Sequence, residues 1–364
     1  MTLAATVLVP THDHGPTLSR SVRSALAQTV EDLEVLVVGD GAPDITRELM
    51  AELAAADERV RYFDNPKGPR HGELHRHAAL QEACGEIVCY LCDDDLWLAD
   101  HVERMRALLA GHDFAYALPF WIDPEGEIHC LRVDLRLPYF REMFLGGENR
   151  IPLSCGAHTL ALYRRLPAGW RTTPNGTFTD LYMWQQILSV PGCRTAGGSE
   201  PTVLHFPSPE RVGWSEDERL GELDRWTARL QEPGFRAELA RRVLTATAAD
   251  AAALEVDLGR ARAWGAAAEA GRQQAEKRAD ELDRDLQAVA SSATWRLRAR
   301  LAGLPGVGPL LRAAAKALAA RAAPEAAGSA RPAPTPEPSR TATGSPAPGP
   351  PSDSRARPRN PSTH

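Results

Sequence analysis

The chain has 364 residues and a formal net charge of −6, a balance that argues against a nucleic-acid-binding protein and suits one or two soluble domains. Apolar residues make up 43% of the chain and charged residues 25%, as in an ordinary globular protein. The sequence has neither an apolar run of the roughly 20 residues that cross a bilayer nor a leader-like start, so we expect a cytoplasmic protein.

Short apolar runs alternate with helical patterns along the first 110 residues. The runs predict strands at Thr6–Pro10, Glu34–Val38, Val60–Phe63 and Ile87–Leu91. Helical spacing of apolar residues follows each strand, over 18–29, after Asp44 as a cap, over 78–84 and over 102–109. Strands this apolar are covered on both faces, which predicts a mostly parallel sheet in an α/β sandwich, with ligands beyond the C-terminal ends of the strands.

The alternation loosens after residue 114. Phe114–Trp121 and Glu127–Val133 are strand-like and flank a turn at Pro124–Gly126, which predicts an antiparallel addition to the sheet. Residues 236–290 are rich in Ala, Arg and Glu with a weak apolar stripe, which predicts a long helix or a weak coiled coil that spaces or self-associates the chain.

The C-terminal part is predicted to lie outside the folded core. Residues 294–321 carry basic side chains interleaved with Leu and Trp, a pattern that fits either peripheral contact with an anionic membrane or packing on a protein surface. The Pro-rich tail buries too little apolar surface to order itself. We therefore expect four segments: an α/β domain over 1–215, a helical extension over 216–290, a basic amphipathic segment over 291–322 and a disordered tail over 323–364.

Three consecutive carboxylates, Asp93, Asp94 and Asp95, follow the fourth predicted strand. Three like charges this close repel one another, and a divalent cation with oxygen ligands relieves the repulsion. One aspartate is enough to cap the following helix, so capping alone does not account for three. The cluster predicts a metal site for Mn or Mg that a nucleoside diphosphate would complete.

Asp40 ends the second predicted strand and is followed by Gly41. A carboxylate at this edge can accept hydrogen bonds from a base or ribose, but Asp-Gly after a strand is also a common turn. Asp40 is therefore a candidate that needs the other motifs beside it.

The first 210 or so residues resemble the family 2 glycosyltransferases of the GT-A fold, such as those of bacterial cell-surface polysaccharide synthesis. The family's opening Val-Pro-Thr-Tyr-Asn is matched by Val9–Asp13, its Asp-Asp-Gly-Ser turn by Gly39–Ala42, and its acidic metal motif by Cys92–Asp95. Its Ala-Arg-Asn helix is matched by His75–His77. The family's acidic residues are replaced by Gly39, Cys92 and Thr179.

The resemblance implies an inverting transferase that moves a sugar from a UDP-, GDP- or dTDP-linked donor to a glycan or lipid-linked acceptor. It implies Asp180 as the general base, although a structural cap for the helix from Leu181 is the alternative. Metal ligands would be Asp94, Asp95 and the late His205. Donor contacts would come from Pro10, Thr11, Asp13, Asp40, Arg76 and Asp93.

Other polar and aromatic clusters have weaker interpretations. His71, His75 and His77 lack a further zinc ligand of the usual type nearby.

Trp97, Tyr116, Trp121 and Trp170 either stack on sugar rings or belong to the core. The six cysteines have no disulfide-framework spacing and are expected to stay as thiols.

Two further function classes remain open. A sugar nucleotidyltransferase would share the α/β architecture, but it would want a glycine-rich basic loop after the first strand, where this chain has one glycine between Thr11 and Pro16 and neither lysine nor arginine. A catalytically degenerate binding or scaffold subunit is suggested by Gly39, Cys92 and Thr179, which stand where the family has acidic residues.

Overall fold

A computed structural model describes residues 2–129, 131, 133–291, 300, 309–310, 313–314 and 316. The chain divides after Gly265 into two compact units. The first unit contains both sheets and all of the predicted site residues. The continuous run of described residues in the second unit is the end of the last helix.

The secondary structure of the described residues alternates strands and helices through the first half of the chain. In chain order the strands and helices are β1 (Leu3–Thr11), α1 (Gly15–Leu26), β2 (Leu33–Gly39), α2 (Asp44–Ala56), β3 (Val60–Phe63), α3 (Glu73–Gln81), β4 (Gly85–Tyr90), β5 (Leu96–Trp97), α4 (His101–Leu109), β6 (Phe114–Tyr116), β7 (Pro119–Ile122), β8 (Ile128–His129), α5 (Pro138–Gly146), β9 (Gly156–Thr159), α6 (Leu160–Tyr163), α7 (Thr179–Leu188), β10 (Thr195–Gly197), β11 (Val203–His205), α8 (Glu216–Leu230) and α9 (Phe235–Ser291). Two short 3-10 turns lie at Leu153–Cys155 and Ser208–Arg211.

A seven-stranded sheet in the order β10-β6-β9-β4-β1-β2-β3 forms the centre of the first unit. Strands β4, β1, β2 and β3 are parallel, whereas β9 runs antiparallel to both of its neighbours, β4 and β6. Every residue of β2 is buried, as are the middle six of β1, because both faces of these strands are covered. The predicted α/β sandwich with a mostly parallel sheet is confirmed.

A second, four-stranded sheet in the order β5-β11-β7-β8 has its own small core. Apolar side chains of this sheet pack with Leu223 and Trp226 of α8 and with Phe235 and Leu239 at the start of α9. This packing positions β11, whose last residue is His205.

Several predicted elements were wrong in detail. Phe114–Trp121 was predicted as one strand but is divided between β6 in the large sheet and β7 in the small one. The strand predicted over 127–133 is limited, among its described residues, to Ile128–His129, because it pairs only with the short β7. The helix predicted over 78–84 begins earlier, at Glu73.

Asp44 was predicted as the cap of the second helix, but the cap position belongs to Pro43 and makes no side-chain hydrogen bond. The Asp44 carboxylate instead accepts a hydrogen bond from Arg47, at 2.6 Å. An exposed arginine one turn along the helix competes successfully for the carboxylate, since an ion pair at this spacing lies on the helix surface.

The long helix predicted over 236–290 is confirmed as α9. Its large apolar side chains between Leu254 and Leu286 are exposed: Leu254, Val256, Leu258, Trp264, Leu282 and Leu286. Its pairing with a second copy stays a prediction, as do the segment boundaries at 215, 290 and 322.

Most of the basic segment and the whole tail predicted over 323–364 lie outside the described residues. Within the described part of the chain, no helix has both the length and the apolarity needed to cross a membrane.

Candidate active site at the edge of the sheet

The carboxyl ends of β1, β2 and β4 meet at one edge of the large sheet. Thr11, the last residue of β1, is in register with Gly39 at the end of β2, and Leu8 of β1 is in register with Tyr90 at the end of β4. Because these strands are parallel, the polar residues that follow them converge on the same edge. The topology therefore places Thr11, Asp40 and the triplet 93–95 at the same edge of the sheet.

Asp95 has no exposed surface and accepts hydrogen bonds with both carboxylate oxygens. Oδ2 accepts from the Ser154 hydroxyl at 2.5 Å, and Oδ1 accepts from the backbone N–H of Phe206 at 2.9 Å. Nδ1 of His205 lies 2.9 Å from Oδ2. This carboxylate therefore joins the end of β4 to the small sheet and holds the imidazole ring of His205.

His205 is the residue of the small sheet that reaches the acidic cluster. Burial lowers the pKa of His205, but Asp95 and the more distant Asp94 and Asp180 outweigh burial, so the pKa is raised overall. Among the described residues, Nε2, the other ring nitrogen of His205, has no hydrogen-bond partner. A histidine whose Nδ1 is held by a carboxylate is the usual arrangement of a metal-binding imidazole.

Asp93 and Asp94 have environments that differ from each other. Asp93 lies 3.1 Å from Nδ1 of His14, and this hydrogen bond is the main reason that the pKa of His14 rises to about 9. Asp94 accepts from the Ser208 hydroxyl at 2.5 Å. Burial and the charges of Asp95 and Asp93 raise the pKa of Asp94 to about 6. Asp93 therefore has a cationic partner in His14, whereas burial and repulsion destabilise the ionised form of Asp94.

Cys92 completes a cluster of potential metal ligands. A ligand atom from each of Cys92, Asp94 and Asp95 lies within 4.8 Å of the others. Burial, together with Asp95 and Asp94, holds the pKa of the Cys92 thiol well above its usual range. His71, His75 and His77 belong to no such cluster of three among the described residues.

Asp180 is the second residue of α7, whose cap position is occupied by Phe178, so the alternative prediction that Asp180 is a helix cap was wrong. Oδ2 of Asp180 accepts from Nδ2 of Asn149 at 2.8 Å, and Oδ1 from the N–H of Leu181 at 2.8 Å. Burial raises the pKa of Asp180, and His205 and Arg76 both act on its charge. The carboxylate is fixed, partly buried and electrostatically coupled to the acidic cluster.

Arg76 is a buried cation that forms no ion pair within 4 Å among the described residues. Arg76 is 7% exposed, and its Nη2 donates to the carbonyl of His71 at 2.9 Å. Its Nε has no hydrogen-bond partner among the residues that the structure describes. The guanidinium lies 4.9 Å from the centre of the Trp170 ring, and burial lowers its pKa. An incompletely satisfied buried guanidinium is prepared to receive an anion.

A chain of hydrogen bonds fixes the Trp170 ring beneath Arg76. The indole N–H donates to the hydroxyl of Tyr90 at 3.0 Å, and that hydroxyl lies 2.7 Å from Nε2 of His158. Nδ1 of His158 lies 3.0 Å from the carbonyl of Thr159, which assigns the proton to Nδ1 and makes Tyr90 the donor to Nε2. Burial keeps the pKa of His158 low, at about 4, so the ring stays neutral.

Of the four aromatic residues considered as sugar-stacking candidates, three belong to the hydrophobic core and one lies beside the acidic cluster. Trp97, Tyr116 and Trp170 are each 2% exposed and belong to the core. Trp121 is partly exposed, and its ring centre lies 4.9 Å from that of His205, edge-on. Of the four, Trp121 is therefore the one placed to contact a ligand beside the acidic cluster.

Sequence reasoning missed several residues that hold the site. His14, Asn149 and Ser208 each bond one of the candidate carboxylates, and Lys67 binds Asp40 at 2.6 Å. They come from loops or helix starts distant in the chain, where spacing carries no signal. For Ser208 a weak signal exists, since it follows the predicted His205 by three residues.

The family model for glycosyl transferase family 2 matches residues 6–168. The β-1,3-glucosyltransferase of Campylobacter jejuni named for GalNAc(5)-diNAcBac-PP-undecaprenol is 33% identical over 89 residues, 24% of this chain and 29% of that protein. The Escherichia coli β-1,3-glucosyltransferase WfgD, named for UDP-Glc and α-D-GlcNAc-diphosphoundecaprenol, is 29% identical over 112 residues, 30% of this chain and 42% of that protein. Both matches span less than half of the relative.

Solved structures with a detectable likeness include two proteins with bound nucleotide sugars. Staphylococcus aureus TarS 1–349 in complex with UDP-GlcNAc has a TM-score of 0.46 at 14% identity, over 67% of this chain and 72% of that one. The mannosyltransferase PcManGT of Pyrobaculum calidifontis, in complex with GDP-Man and Mn²⁺, has a TM-score of 0.41 at 19% identity, over 70% of this chain and 79% of that one.

Proposed function

We propose, because residues 6–168 match the family model for glycosyl transferase family 2, that the protein transfers a sugar from a nucleoside-diphosphate donor to an acceptor hydroxyl, with inversion at the anomeric carbon. The single observation that carries the proposal is the position of His205, whose Nδ1 lies 2.9 Å from the buried carboxylate of Asp95 and whose charge is favoured by both Asp94 and Asp180. The acidic cluster suits a cation that binds the leaving diphosphate, and Asp180 suits a base for the attacking hydroxyl.

The cluster fits a divalent cation by the chemistry of its donors. Burial and the negative charges of Asp95 and Asp93 disfavour the ionised form of Asp94, as its raised pKa indicates. A bound cation would relieve the repulsion among these carboxylates. We assign Asp94 as a direct ligand of Mn or Mg and Nε2 of His205 as a further ligand, although His205 is not a member of the cluster formed by Cys92, Asp94 and Asp95. Both oxygens of Asp95 are occupied by hydrogen bonds, so Asp95 contributes mainly by holding His205. When bound, the cation stabilises the negative charge that develops on the departing diphosphate.

The donor is assigned to the edge between β1 and β4. Pro10 and Thr11 end β1, and Asp13 is exposed in the loop that follows. The buried Thr11 hydroxyl has no hydrogen-bond partner within the described part of the chain. Asp93 is assigned to the ribose, with Asp40 near the base. Arg76 is assigned to the diphosphate, because its buried guanidinium forms no ion pair within 4 Å among the described residues.

Asp180 is assigned as the base that removes the proton of the acceptor hydroxyl as the new glycosidic bond forms. Burial raises its pKa, which makes the carboxylate a stronger base than an exposed aspartate. Asn149 and the N–H of Leu181 each bond one oxygen and fix its direction. One lone pair on each oxygen remains for the acceptor.

The test is transfer or donor hydrolysis with UDP-, GDP- and dTDP-sugars, with and without Mn²⁺. Asp180→Asn should retain donor binding and lose about 10²–10⁴-fold in turnover, the usual contribution of a general base. Asp94→Ala should lose metal-dependent turnover. Asp257→Asn, an exposed aspartate of α9, is the matched control and should behave as wild type.

The scaffold alternative rests on Gly39, Cys92 and Thr179, which stand where the family has acidic residues. It predicts nucleotide-sugar binding without turnover under any of these conditions. Metal-dependent turnover in the wild type that Asp180→Asn abolishes would exclude the scaffold.

A lipid-linked glycan is the acceptor we propose, because both curated relatives are named for diphosphoundecaprenol-linked sugars. Peripheral membrane contact through residues 294–321 would bring the enzyme to such an acceptor. Deletion of 294–321 should abolish binding to anionic vesicles, and unchanged binding would remove this placement.

A further inference from the structure

The carboxylate of Asp40 is enclosed by the segment that follows β3. Its side chain is 7% exposed. Oδ2 accepts from Nζ of Lys67 at 2.6 Å, and Oδ1 accepts from the N–H of Gly68 at 2.6 Å. Nε2 of His75 lies 3.8 Å from Oδ1. Each oxygen thus has a close donor, and both donors come from one segment.

Residues 65–72, which we call the base loop, are attached to the end of β2 by more than this carboxylate. Nδ2 of Asn65 donates to the carbonyl of Gly39 at 3.1 Å, and the N–H of Gly41 donates to the carbonyl of Asn65 at 2.8 Å. Lys67 also donates to the carbonyls of Gly68 and Arg70, at 3.0 and 2.7 Å. Lys67 therefore ties the loop to itself as well as to Asp40.

Close packing closes the remaining side of the carboxylate. Gly72 has a φ of +69°, and a Cβ at this position would lie 2.6 Å from Cγ of Asp40. A glycine is needed there because any side chain would collide with the carboxyl group. A nucleobase N–H therefore has no open approach to Asp40 while the base loop is in this conformation.

We propose that Asp40 is a positioning residue that anchors the base loop, and that the nucleobase of the donor contacts this loop rather than the Asp40 carboxylate. The inference rests on the proposed function, because it presupposes a nucleotide at this edge of the sheet. It departs from the role that the family resemblance implies for Asp40. Lys67, 43% exposed at the surface of the loop, becomes a determinant of donor affinity.

The experiment measures the affinity of nucleoside diphosphates by calorimetry for wild type, Asp40→Asn, Lys67→Met and the double variant. Lys67→Met removes a partly exposed charge and should fold, while Lys277→Met, on the exposed face of α9, is the matched control. We expect each single variant to bind about tenfold more weakly, as for loss of one charge-assisted hydrogen bond. The double variant should be no weaker than either single one, because both remove the same anchor.

A second comparison separates anchoring from direct contact with the base. The nucleotide that binds most tightly is tested against its analogue methylated on the ring N–H. Anchoring predicts that methylation changes the affinity of wild type and Asp40→Asn by the same factor. In turnover assays the variants should raise the donor KM and leave kcat unchanged, which general destabilisation of the fold would not do.

Three results would overturn the inference: wild-type affinity in Lys67→Met, a methylation effect that is lost specifically in Asp40→Asn, or additive losses of affinity in the double variant. The proposed function is tested separately by the wild type. Failure of the wild type to bind any nucleoside diphosphate would reject the proposed function and the inference with it, whereas tight binding with additive variants would reject the inference alone.

Discussion

Three adjacent aspartates at positions 93 to 95 perform different tasks because their neighbours differ. Asp93 has the imidazole of His14, Asp94 has a hydroxyl, and Asp95 has a full set of hydrogen bonds from distant parts of the chain. A run of identical letters in the sequence thus becomes three separate chemical groups. The assignment of Asp94, rather than Asp95, as the direct cation ligand follows from this difference.

Replacement of Asp94 should raise the stability of the metal-free protein and remove its stabilisation by Mn²⁺. In metal-free buffer Asp94→Asn should melt at a higher temperature than wild type, because the substitution removes one of three crowded negative charges. Mn²⁺ at 100 times its dissociation constant should stabilise the wild type by about 2.7 kcal/mol and leave the variant unchanged. Thermal unfolding with and without Mn²⁺ provides the measurement.

Asp257→Asn controls for removal of an aspartate charge elsewhere and should keep the full Mn²⁺ response. An equal Mn²⁺ response in Asp94→Asn would contradict the metal assignment.

At the scale of elements, the small sheet and α8 determine where His205 lies. Arg211 and Glu222, 1% and 3% exposed at their side chains, form a buried ion pair between the turn after β11 and α8, with Nε to Oε2 at 2.6 Å. Arg211 also donates to the carbonyl of Ile122 at the end of β7. A capping box at Ser215 and Glu218 starts α8 beside this pair. The ion pair therefore connects three elements of the second core.

Removing one member of this pair should destabilise the fold. Glu222→Ala leaves the Arg211 guanidinium buried without its carboxylate, and we expect a loss of about 3–5 kcal/mol in the free energy of unfolding. Replacing both residues, as Arg211→Met with Glu222→Leu, should recover most of that loss. Urea unfolding at pH 7 measures both. A small effect of Glu222→Ala would mean that solvent reaches Arg211.

At the scale of the whole molecule, folding keeps two buried histidines of the described residues, His101 and His158, neutral. Burial lowers the pKa of His101 from 6.5 to about 3 and that of His158 from 6.5 to about 4. Between the low pKa of each folded histidine and the unfolded value of 6.5, the unfolded chain binds a proton that the folded chain does not. The contribution of these two neutral histidines to the free energy of unfolding is therefore fully present above about pH 6.5 and is lost as the pH falls. Each histidine contributes a slope of about 1.4 kcal/mol per pH unit in that range.

His101→Asn tests this acid dependence. Asparagine keeps a polar group near the Thr202 hydroxyl, which lies 2.8 Å from Nδ1 of His101, but it does not titrate. The variant should be less stable than wild type at pH 7, since it loses the stacking of His101 on Trp97, and the gap should narrow as the pH falls from 6 to 4. A gap that stays constant with pH in urea unfolding would contradict the neutral state of His101.

The spacing of apolar residues in the sequence predicted those parts of the fold that depend on residues close together in the chain. The buried strands around Val7, Val35 and Val88 and the parallel sheet follow from short apolar runs, and the convergence of Asp40 with the triplet follows from parallel strands. The division of 114–121 between two sheets was not predictable, because it depends on β9 and β11, which come later in the chain. Partners such as Lys67 and Asn149 are tertiary and left no periodic signal.

The hydrogen bonds of Asp95 have a consequence for how much of the chain must be present. Its partners come from positions 154, 205 and 206, so a protein truncated at residue 168, where the family match ends, would lack two of the three and leave a charge buried without them. On the ribosome the site would likewise remain unfinished until β11 has emerged. The stretch that matches the family model is therefore shorter than the stretch needed to complete the site. Any minimal expression fragment should extend at least through Leu239, the last fully buried apolar residue in the core of the small sheet.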